Sequence, residues 1–437
     1  MIEAMPLILF LVLFLVLLMG YPVAFTLGGV SVLLGLMTFG ADFFNLLPLR
    51  IWGVMTNYVL LAVPLFVFMG VMLEKSGLAE DMLETMALLF GRLRGGLAVS
   101  VVVVGALLGA STGIVGATVV TMGLLSLPTM LRRGYSPPVA TGTIAASGTL
   151  GQIIPPSVVL VLLGSILNVS VGDMFIGAVI PGTILVGLYL VWISLVAVFK
   201  PKEAPAMPLH ELAAFRQSGM LKKIIRAFLL PLGLMTVVLG SIFAGITSPT
   251  EAAAVGALGA TLLTVFQGKF SYETLKEVMK ECTHITCMVF FVLVGAEAFG
   301  LVFRGMKGDA YMTRLIMDAD LSIYAFMALV LVMIFIAGFF IDFIQITYII
   351  VPVVAPIFVT FGVDLLWLGI LIAVNLQTSF LTPPFGFSLF YLKGVAPPEV
   401  QTSHIYRGIL PFIVIQLICL GLLVCLPELV TWLPSLR

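Results

Sequence analysis

The sequence predicts an all-α membrane protein with an internal duplication, and three observations support that prediction. Of 437 residues, 61% are hydrophobic and 10% are charged, whereas a soluble chain carries roughly 25% charged residues. Apolar windows of about 20 residues, the length that crosses a bilayer, follow one another along most of the chain. Several Pro and Gly residues also recur at one constant offset. A polytopic protein built from two related halves is therefore expected.

The duplication is visible in residues that shape the backbone and recur 228 positions apart. The pairs are Pro128 and Pro356, Gly134 and Gly362, Pro155 and Pro383, and Pro156 and Pro384. A Pro-Pro pair cannot continue a helix, because both rings lack the N–H donor and clash with the preceding turn. In lipid, such a break persists only where protein or a watery cavity satisfies the freed backbone groups. Broken segments at matching positions of two halves indicate the binding site of a secondary transporter.

Apolar windows predict the membrane segments. Ten of them lie near 5–20, 22–40, 54–73, 138–169, 172–199, 227–247, 249–268, 284–303, 364–392 and 406–433. The windows at 138–169 and 364–392 contain the Pro-Pro pairs and are predicted to be broken helices. Two more, 95–133 and 322–361, are about twice the spanning length. Each is predicted to be either two full spans or a re-entrant hairpin, and the polar or Gly-rich centres favour hairpins.

Charge placement predicts the orientation in the membrane. With either interpretation of the long windows, all but five of the 21 Lys and Arg residues fall on one side. The five exceptions are Arg50, Arg304, Lys307, Arg314 and Arg437. The positive-inside bias makes the populated side cytoplasmic. If both long windows are hairpins, the first enters from the cytoplasm and the second from outside, which makes the duplication an inverted repeat.

Several classes of function lack support. No P-loop, H-E-x-x-H or G-x-S-x-G motif is present, and none of the three His residues pairs with a nucleophile by spacing. An enzyme is therefore not expected, and any uphill transport must use an ion gradient or separate subunits. Equal numbers of basic and acidic residues, 21 of each, give nucleic-acid binding no support.

The hairpin tips and the breaks supply candidate ligands. The first set is Ser111, Thr112, Gly113 and Gly116 at the tip, with Thr149, Gly151 and Pro155 at the break. The second is Gly338 and Asp342 at the tip, with Gln377, Thr378, Ser379, Thr382 and Pro383 at the break. Helix ends in mid-membrane expose unpaired N–H and C=O groups, which attract anions and small hard cations respectively. These oxygens suit Na⁺, and neither set offers His or Cys to a transition metal. The competing interpretation is that the small residues only allow close helix packing.

Three carboxylates lie in or beside apolar windows. Asp342, at a predicted tip, is expected to ligate a cation or to relay a proton. Glu251 is expected to have a structural role, because Ser248 or Thr250 could cap a helix that begins beside it. Glu297 has no obvious local partner, and a charge at such depth suggests function.

The strings LPTMLRRGYSPPVATGTIAASGTLGQIIPPS, GITSPTEAAAVGA and LQTSFLTPPFGFSLFYLKG resemble the large membrane subunit of TRAP transporters (tripartite ATP-independent periplasmic transporters). The resemblance extends over essentially the whole chain. It implies a scaffold and a moving elevator domain in the bacterial inner membrane. It also implies Na⁺-driven uptake of an organic acid, such as a carboxylate, that a periplasmic binding protein delivers. A small four-span membrane subunit is the second implied partner, and no cofactor is expected besides Na⁺ as coupling ion.

The resemblance also implies where sodium binds. In the first half the implied residues are Thr112, Gly113 and Gly151, and in the second they are Gly338, Asp342, Thr382 and Pro383. One departure stands out, because many relatives have a serine-rich first tip of the form SGSS. The matching stretch here is Thr112-Gly113-Ile114-Val115. Two hydroxyls are missing, so the first site is expected to rely more on backbone carbonyls.

The predicted organisation follows from these elements. It comprises N-terminal scaffold helices (1–94), a first repeat of hairpin, broken helix and span (95–199), a cytoplasmic linker with an interfacial helix (200–226), a second scaffold segment (227–321), a second transport repeat (322–393) and a C-terminal span (394–437). The alternative function is a stand-alone carboxylate transporter of similar fold, coupled to Na⁺ or H⁺. An intramembrane enzyme and a channel are the other classes considered, and no catalytic pair supports the former.

Overall fold

The computed structural model describes residues 4–113, 115–208 and 223–436, and regular secondary structure in these ranges is helical throughout. The α-helices are α1 (Met5–Leu18), α2 (Val23–Phe39), α3 (Leu47–Met55), α4 (Ala62–Lys75), α5 (Leu78–Phe90), α6 (Gly96–Thr112), α7 (Val115–Arg132), α8 (Pro137–Thr149), α9 (Val158–Leu167), α10 (Val171–Phe199), α11 (Leu230–Phe243), α12 (Pro249–Phe266), α13 (Tyr272–Gly305), α14 (Gly308–Asp318), α15 (Ile323–Ala337), α16 (Phe343–Ile349), α17 (Val351–Thr360), α18 (Leu365–Leu381), α19 (Phe387–Val395), α20 (Thr402–Cys425) and α21 (Glu428–Ser435). Seven helices within the described ranges are long and apolar enough to cross a membrane.

The helix boundaries repeat the offset seen in the sequence. Helix α7 spans residues 115–132, and the bent pair α16 and α17 spans 343–360, so both ends are shifted by 228. Helices α8 and α18 begin 228 residues apart, and α9 and α19 end 228 residues apart. Helices α5 and α14 also end at that offset. The second half of the chain therefore repeats the order of elements of the first.

Both predicted breaks are present. Helix α8 ends at Thr149 and α9 begins at Val158, while α18 ends at Leu381 and α19 begins at Phe387. The Pro-Pro peptide inside each break is cis. At the first break, the Ser157 hydroxyl donates a hydrogen bond to the Gln152 carbonyl at 2.7 Å. Side chains thus satisfy part of the backbone freed by the break, as an apolar surrounding requires.

The two halves pack on each other reciprocally. Helix α2 packs on α13 while its counterpart α12 packs on α4, and α8 packs on α20 while its counterpart α18 packs on α10. Glycines bring these backbones together. A Cβ built on Gly142 would lie 2.1 Å from the Gly408 carbonyl oxygen, and one on Gly295 would lie 2.5 Å from that of Ala24. Reciprocal contacts of this kind are those that a two-fold relation between equivalent units produces.

Two helices, α5 and α14, were not among the predicted apolar windows. Helices α5 and α14 are amphipathic: α5 buries Leu78, Met82 and Met86 and exposes Glu80 and Glu84. Charges at helical spacing lower the mean hydropathy of a window although one face is fully apolar. Hydropathy windows therefore miss such helices.

The first long window remains open to both interpretations. Helix α6 has 17 residues and α7 has 18, and the two pack against each other as antiparallel neighbours joined at Gly113 would. In the second long window, α15 has 15 residues and is followed by α16 and α17, which are bent by 49° at their junction. Neither α15 nor either half of the bent pair reaches the spanning length by itself.

The segment predicted as a cytoplasmic linker begins as an ordered strap, residues 200–208. Ala204 and Met207 are buried rather than exposed. The strap is tied by hydrogen bonds from Gly95 N to Ala204 O (2.9 Å), from Met207 N to Gly91 O (2.9 Å) and from Ser136 N to Glu203 O (3.0 Å). These bonds reach the turns on both sides of the α6–α7 pair, so this part of the linker belongs to the folded core. The predicted interfacial helix around 210–215 lies outside the described residues.

Candidate ion and substrate site

The tip of the α6–α7 pair lies against the first break. A Cβ on Gly151 would lie 2.3 Å from the carbonyl oxygen of Gly109, and one on Gly113 would lie 3.1 Å from the amide nitrogen of Val158. Gly113 has a φ of +62°, which a glycine adopts readily. The last turn of α6 therefore contacts the first break at Gly151, and Gly113 after it contacts Val158 on the far side of that break. Ile114 and the side chains of Ser111 and Thr112 lie outside the described part of the chain.

The second tip makes the equivalent contact. A Cβ on Gly338 would lie 2.1 Å from the Ser379 hydroxyl oxygen. Ser379 stands at the position related to Gly151 by the offset of 228. In both halves, the end of one helix thus touches the same position of the broken helix. Only small residues permit this approach, so the close-packing interpretation holds for both contacts and leaves ligand binding as a separate question.

The two sets of candidate ligands meet at the boundary between the halves. Gln377 Nε2 donates to the Thr149 hydroxyl at 3.4 Å, and both side chains are fully buried. These residues are themselves related by the offset of 228. A second such pair, Gln416 and Tyr189, is joined by a hydrogen bond of 2.7 Å and is 227 residues apart. The broken helices α8 and α18 therefore touch through their own equivalent positions.

The threonine hydroxyl groups at the breaks donate hydrogen bonds to backbone carbonyls of their own helices. Thr149 donates to Ala146 O at 2.9 Å, Thr378 to Val374 O at 2.9 Å, and Thr382 to Thr378 O at 2.8 Å. A hydroxyl that donates its only proton to a carbonyl presents lone pairs elsewhere. These oxygens are accordingly set up as acceptors, which suits a cation rather than an anion.

Asp342 is the residue at the N-terminal cap of α16, and its side chain is half-buried. Its backbone N–H donates to the Gln345 side chain at 3.1 Å. The carboxylate lies within electrostatic range of Tyr391 on α19. The Tyr391 ring in turn contacts the other hairpin, because a Cβ on Gly116 of α7 would lie 3.0 Å from it. Tyr391 therefore lies between the two candidate tips.

The other two acidic residues have partners. The prediction for Glu251 is confirmed: the Ser248 N–H donates to Glu251 at 2.7 Å, and the Glu251 N–H donates to the Ser248 hydroxyl at 3.3 Å, which is a capping box at the start of α12. Glu297, which has no partner nearby in the sequence, lies 4.0 Å from Arg50 of α3. It lines a cavity of about 430 Å³ together with Arg304, Asp309 and Tyr348.

Several polar residues of the core were not predicted from the sequence. Asn375 donates to Leu331 O at 2.8 Å and joins α18 to α15. Gln152, inside the first break, is fully buried and neither of its side-chain amide atoms has a hydrogen-bond partner. Asn375, Gln152 and Gln416 are each a lone polar side chain in an apolar window. An isolated amide in such a window is a sequence signal that could have identified all three. No sequence signal indicates Tyr391.

These features define a multi-pass helical membrane protein whose polar groups gather where helices are interrupted, the arrangement found in secondary transporters. The chain belongs to the family described as the tripartite ATP-independent periplasmic transporter, DctM component, whose model matches residues 10–429.

Individual relatives agree with this assignment. The C4-dicarboxylate TRAP transporter large permease protein DctM of Pseudomonas aeruginosa is 32% identical over 412 residues, which is 93% of either chain. The sialic acid TRAP transporter large permease protein SiaM of Vibrio cholerae is 29% identical over 95% of either chain. Among solved structures, the Alcanivorax borkumensis YdaH transporter superposes with a TM-score of 0.61 at 15% identity, over 90% of this chain and 88% of that one. The last comparison concerns the fold alone.

Proposed function

We propose that this chain is the large membrane subunit of a Na⁺-coupled uptake system for an organic acid, working by an elevator mechanism. The observation that carries the proposal is the repeated contact of a helix tip with a broken helix, Gly109 with Gly151 and Gly338 with Ser379. Such a contact is where freed backbone carbonyls and hydroxyl lone pairs converge on a small space. The chain belongs to a family of tripartite transporters, and in a transporter such a space can bind the coupling ion or the substrate.

In this proposal each half holds one sodium region. The first region contains Ser111, Thr112, Gly113, Thr149, Gly151 and Pro155, and the second contains Gly338, Asp342, Gln377, Thr378, Thr382 and Pro383. Neutral oxygens and one carboxylate suit Na⁺, because a small hard cation prefers oxygen ligands. Within the described residues no three His, Cys, Asp or Glu side chains gather to hold a metal. The substrate carboxylate lies beside the ions, near the N-terminal ends of the interrupted helices.

The moving unit consists of the two repeats, 95–199 and 322–393, and the segments 1–94 and 227–321 form the scaffold. The two repeats have opposite orientations in the inner membrane, with the Lys- and Arg-rich side in the cytoplasm. Reciprocal packing of α8 on α20 and of α18 on α10 supports a two-fold axis between them. With that orientation the cavity lined by Arg50, Arg304, Glu297 and Asp309 opens to the periplasm, with two guanidinium and two carboxylate groups on its wall.

Two partners complete the system. A periplasmic binding protein presents the organic acid, and a small membrane subunit packs on the scaffold. Many large apolar side chains on α1 and α2 are exposed, including Leu11, Phe25 and Met37, and lipid or that subunit covers them. Relatives are named for C4-dicarboxylates and for sialic acid, and both are carboxylates. A further relative is named for isethionate, which is a sulfonate, so the relatives favour an organic acid here, with its identity set by the binding protein.

The proposed sodium region in the second half is tested with Asp342→Ala and Thr382→Ala. Each variant removes one oxygen ligand, so the Na⁺ concentration that gives half-maximal uptake should rise about tenfold. Thr236→Ala on α11 is the matched control, because its hydroxyl bonds only to its own helix at Leu232 O. An unchanged Na⁺ dependence in both site variants would show that the assignment is wrong.

Affinity purification of the tagged chain in mild detergent distinguishes the tripartite system from a stand-alone transporter. Recovery of one small membrane protein with four spans supports the tripartite system. Recovery of the chain alone, as a homodimer that still takes up a carboxylate, supports the alternative.

A further inference from the structure

Gln152 is a buried polar side chain whose amide makes no hydrogen bond within the fold. It is fully buried, and both its Oε1 and its Nε2 lack a hydrogen-bond partner. Its backbone carbonyl is already occupied by the Ser157 hydroxyl at 2.7 Å. Buried amides nearly always have partners, and an amide left unsatisfied costs free energy. A cation that binds at the first break would satisfy Oε1, one of the two unpartnered atoms.

Gln152 lies at the contact between tip and break. It directly follows Gly151, whose Cα packs on Gly109 near the end of α6. The short helical segment Leu150–Gln152 packs on α6 and α8 and also on α9 and α18. Pro155 and Pro156 interrupt the chain three residues later. The buried residue that carries the amide therefore lies where α6, both arms of the broken helix and α18 converge.

The second half shows that this position does not require an amide. Phe380 stands 228 residues after Gln152 and is 2% exposed. Its ring packs 6.3 Å from that of Phe343 and 5.4 Å from that of Phe387. The same place in the fold therefore accepts an apolar ring. The polar side chain in the first half needs an explanation other than packing.

The two halves also differ in charge. Residues 96–172 contain no Asp or Glu, whereas the second tip carries Asp342. The helices that pack on the Gln152 segment, α6, α8, α9 and α18, contain no ionisable side chain at all. A cation in the first half must accordingly be held by neutral oxygens. An amide carbonyl is a hard oxygen ligand of the kind that Na⁺ accepts.

We propose that Gln152 Oε1 ligates Na⁺ in a charge-neutral site of the first half, distinct in chemistry from the carboxylate-bearing site around Asp342. The inference rests on the proposed function, since it assigns a ligand to one of the two sodium regions. If the inference holds, the two sodium sites differ in how the charge of the ion is compensated. An ion held by neutral ligands brings an uncompensated charge into the core, so an anionic substrate stabilises it, while the ion beside Asp342 is already compensated.

The test uses the purified full-length chain and Na⁺ alone. The temperature of unfolding is measured against Na⁺ concentration, with K⁺ holding the ionic strength constant, in the Asp342→Asn background so that the first site is observed separately. Gln152→Leu should raise the Na⁺ concentration at half-maximal stabilisation about tenfold. Gln152→Glu should lower it about tenfold at alkaline pH, because a carboxylate supplies the missing charge. That gain should shrink as the pH falls, since Na⁺ must then displace a proton.

The control is Gln416→Leu in the same background, because Gln416 is equally buried but its Nε2 donates to Tyr189, and these two residues lie on α20 and α10 rather than at the first break. The inference is overturned if Asp342→Asn alone removes all Na⁺ stabilisation, or if both Gln152 variants match this control within about twofold. Should Gln152→Leu fail to fold, the pH-dependent gain in Gln152→Glu decides the question. Failure of the proposed function gives a different result in the same measurement. In that case Na⁺ raises the unfolding temperature of the unaltered chain no more than K⁺ does.

Discussion

Replacing Gly151 with Ala is expected to open the contact between the first tip and the first break. The added Cβ would lie 2.3 Å from the Gly109 carbonyl oxygen and 2.4 Å from its carbonyl carbon. Ordinary contact begins at 3.4 Å, so the two backbones must separate by about 1 Å. No rotamer change relieves this, because the obstructing atoms are main chain. Overpacking of this kind costs about 1–3 kcal/mol.

In the proposed function an ion binds where this contact forms, so the cost is expected to appear as weaker Na⁺ binding. A penalty of about 1–3 kcal/mol corresponds to a 5- to 150-fold loss of affinity for Na⁺. The measurement is the Na⁺ concentration that gives half-maximal thermal stabilisation of the purified chain. Gly233→Ala on α11 is the matched control, since a Cβ there meets nothing within 4 Å. If Gly151→Ala titrates with Na⁺ like this control, the tip–break contact has no role in ion binding.

Three further predictions concern stability. Thr121→Val should lower the free energy of unfolding by about 1.5–3 kcal/mol, because Thr121 donates at 2.6 Å to the Glu74 carboxylate of α4; an unchanged denaturation midpoint would contradict this. Trp367→Phe should cost about 1–3 kcal/mol by leaving the buried Leu423 carbonyl without its 2.8 Å donor, and a thermal melt equal to that of the unaltered chain would refute it. Ser248→Ala should cost about 1 kcal/mol through loss of the α12 cap, and a loss below 0.3 kcal/mol would argue against the capping box.

The sequence was sufficient to predict the helical membrane class and both helix breaks. Four pairs at an offset of 228 indicated the duplication, and whole helices recur at that offset. Proline made this possible, because its effect on a helix is local and does not depend on the tertiary fold. The same reasoning about tips and breaks placed Gly338 opposite Ser379, whereas Gly109, which contacts Gly151, was not among the predicted tip residues.

The remaining features depend on tertiary packing. No local pattern shows that Thr149 and Gln377 touch, since their contact arises from the way the halves meet. The burial of Ala204 in the strap also depends on neighbours distant in sequence, whereas composition alone assigns the strap to a cytoplasmic linker. Helices α5 and α14 were missed because an average over a window hides one apolar face. The lack of partners for Gln152 is visible only once its surroundings are known.

The most direct test of the central claim is Na⁺-driven uptake in proteoliposomes. The chain and the small membrane subunit proposed for it are reconstituted with K⁺ inside, and the proposed binding protein, loaded with its own radiolabelled ligand, is added outside. The expected result is accumulation of the organic acid above its external concentration when Na⁺ is outside, and none when K⁺ replaces Na⁺ or the binding protein is omitted. Equal accumulation with K⁺ outside, or full uptake by this chain alone, would contradict a Na⁺-coupled tripartite transporter.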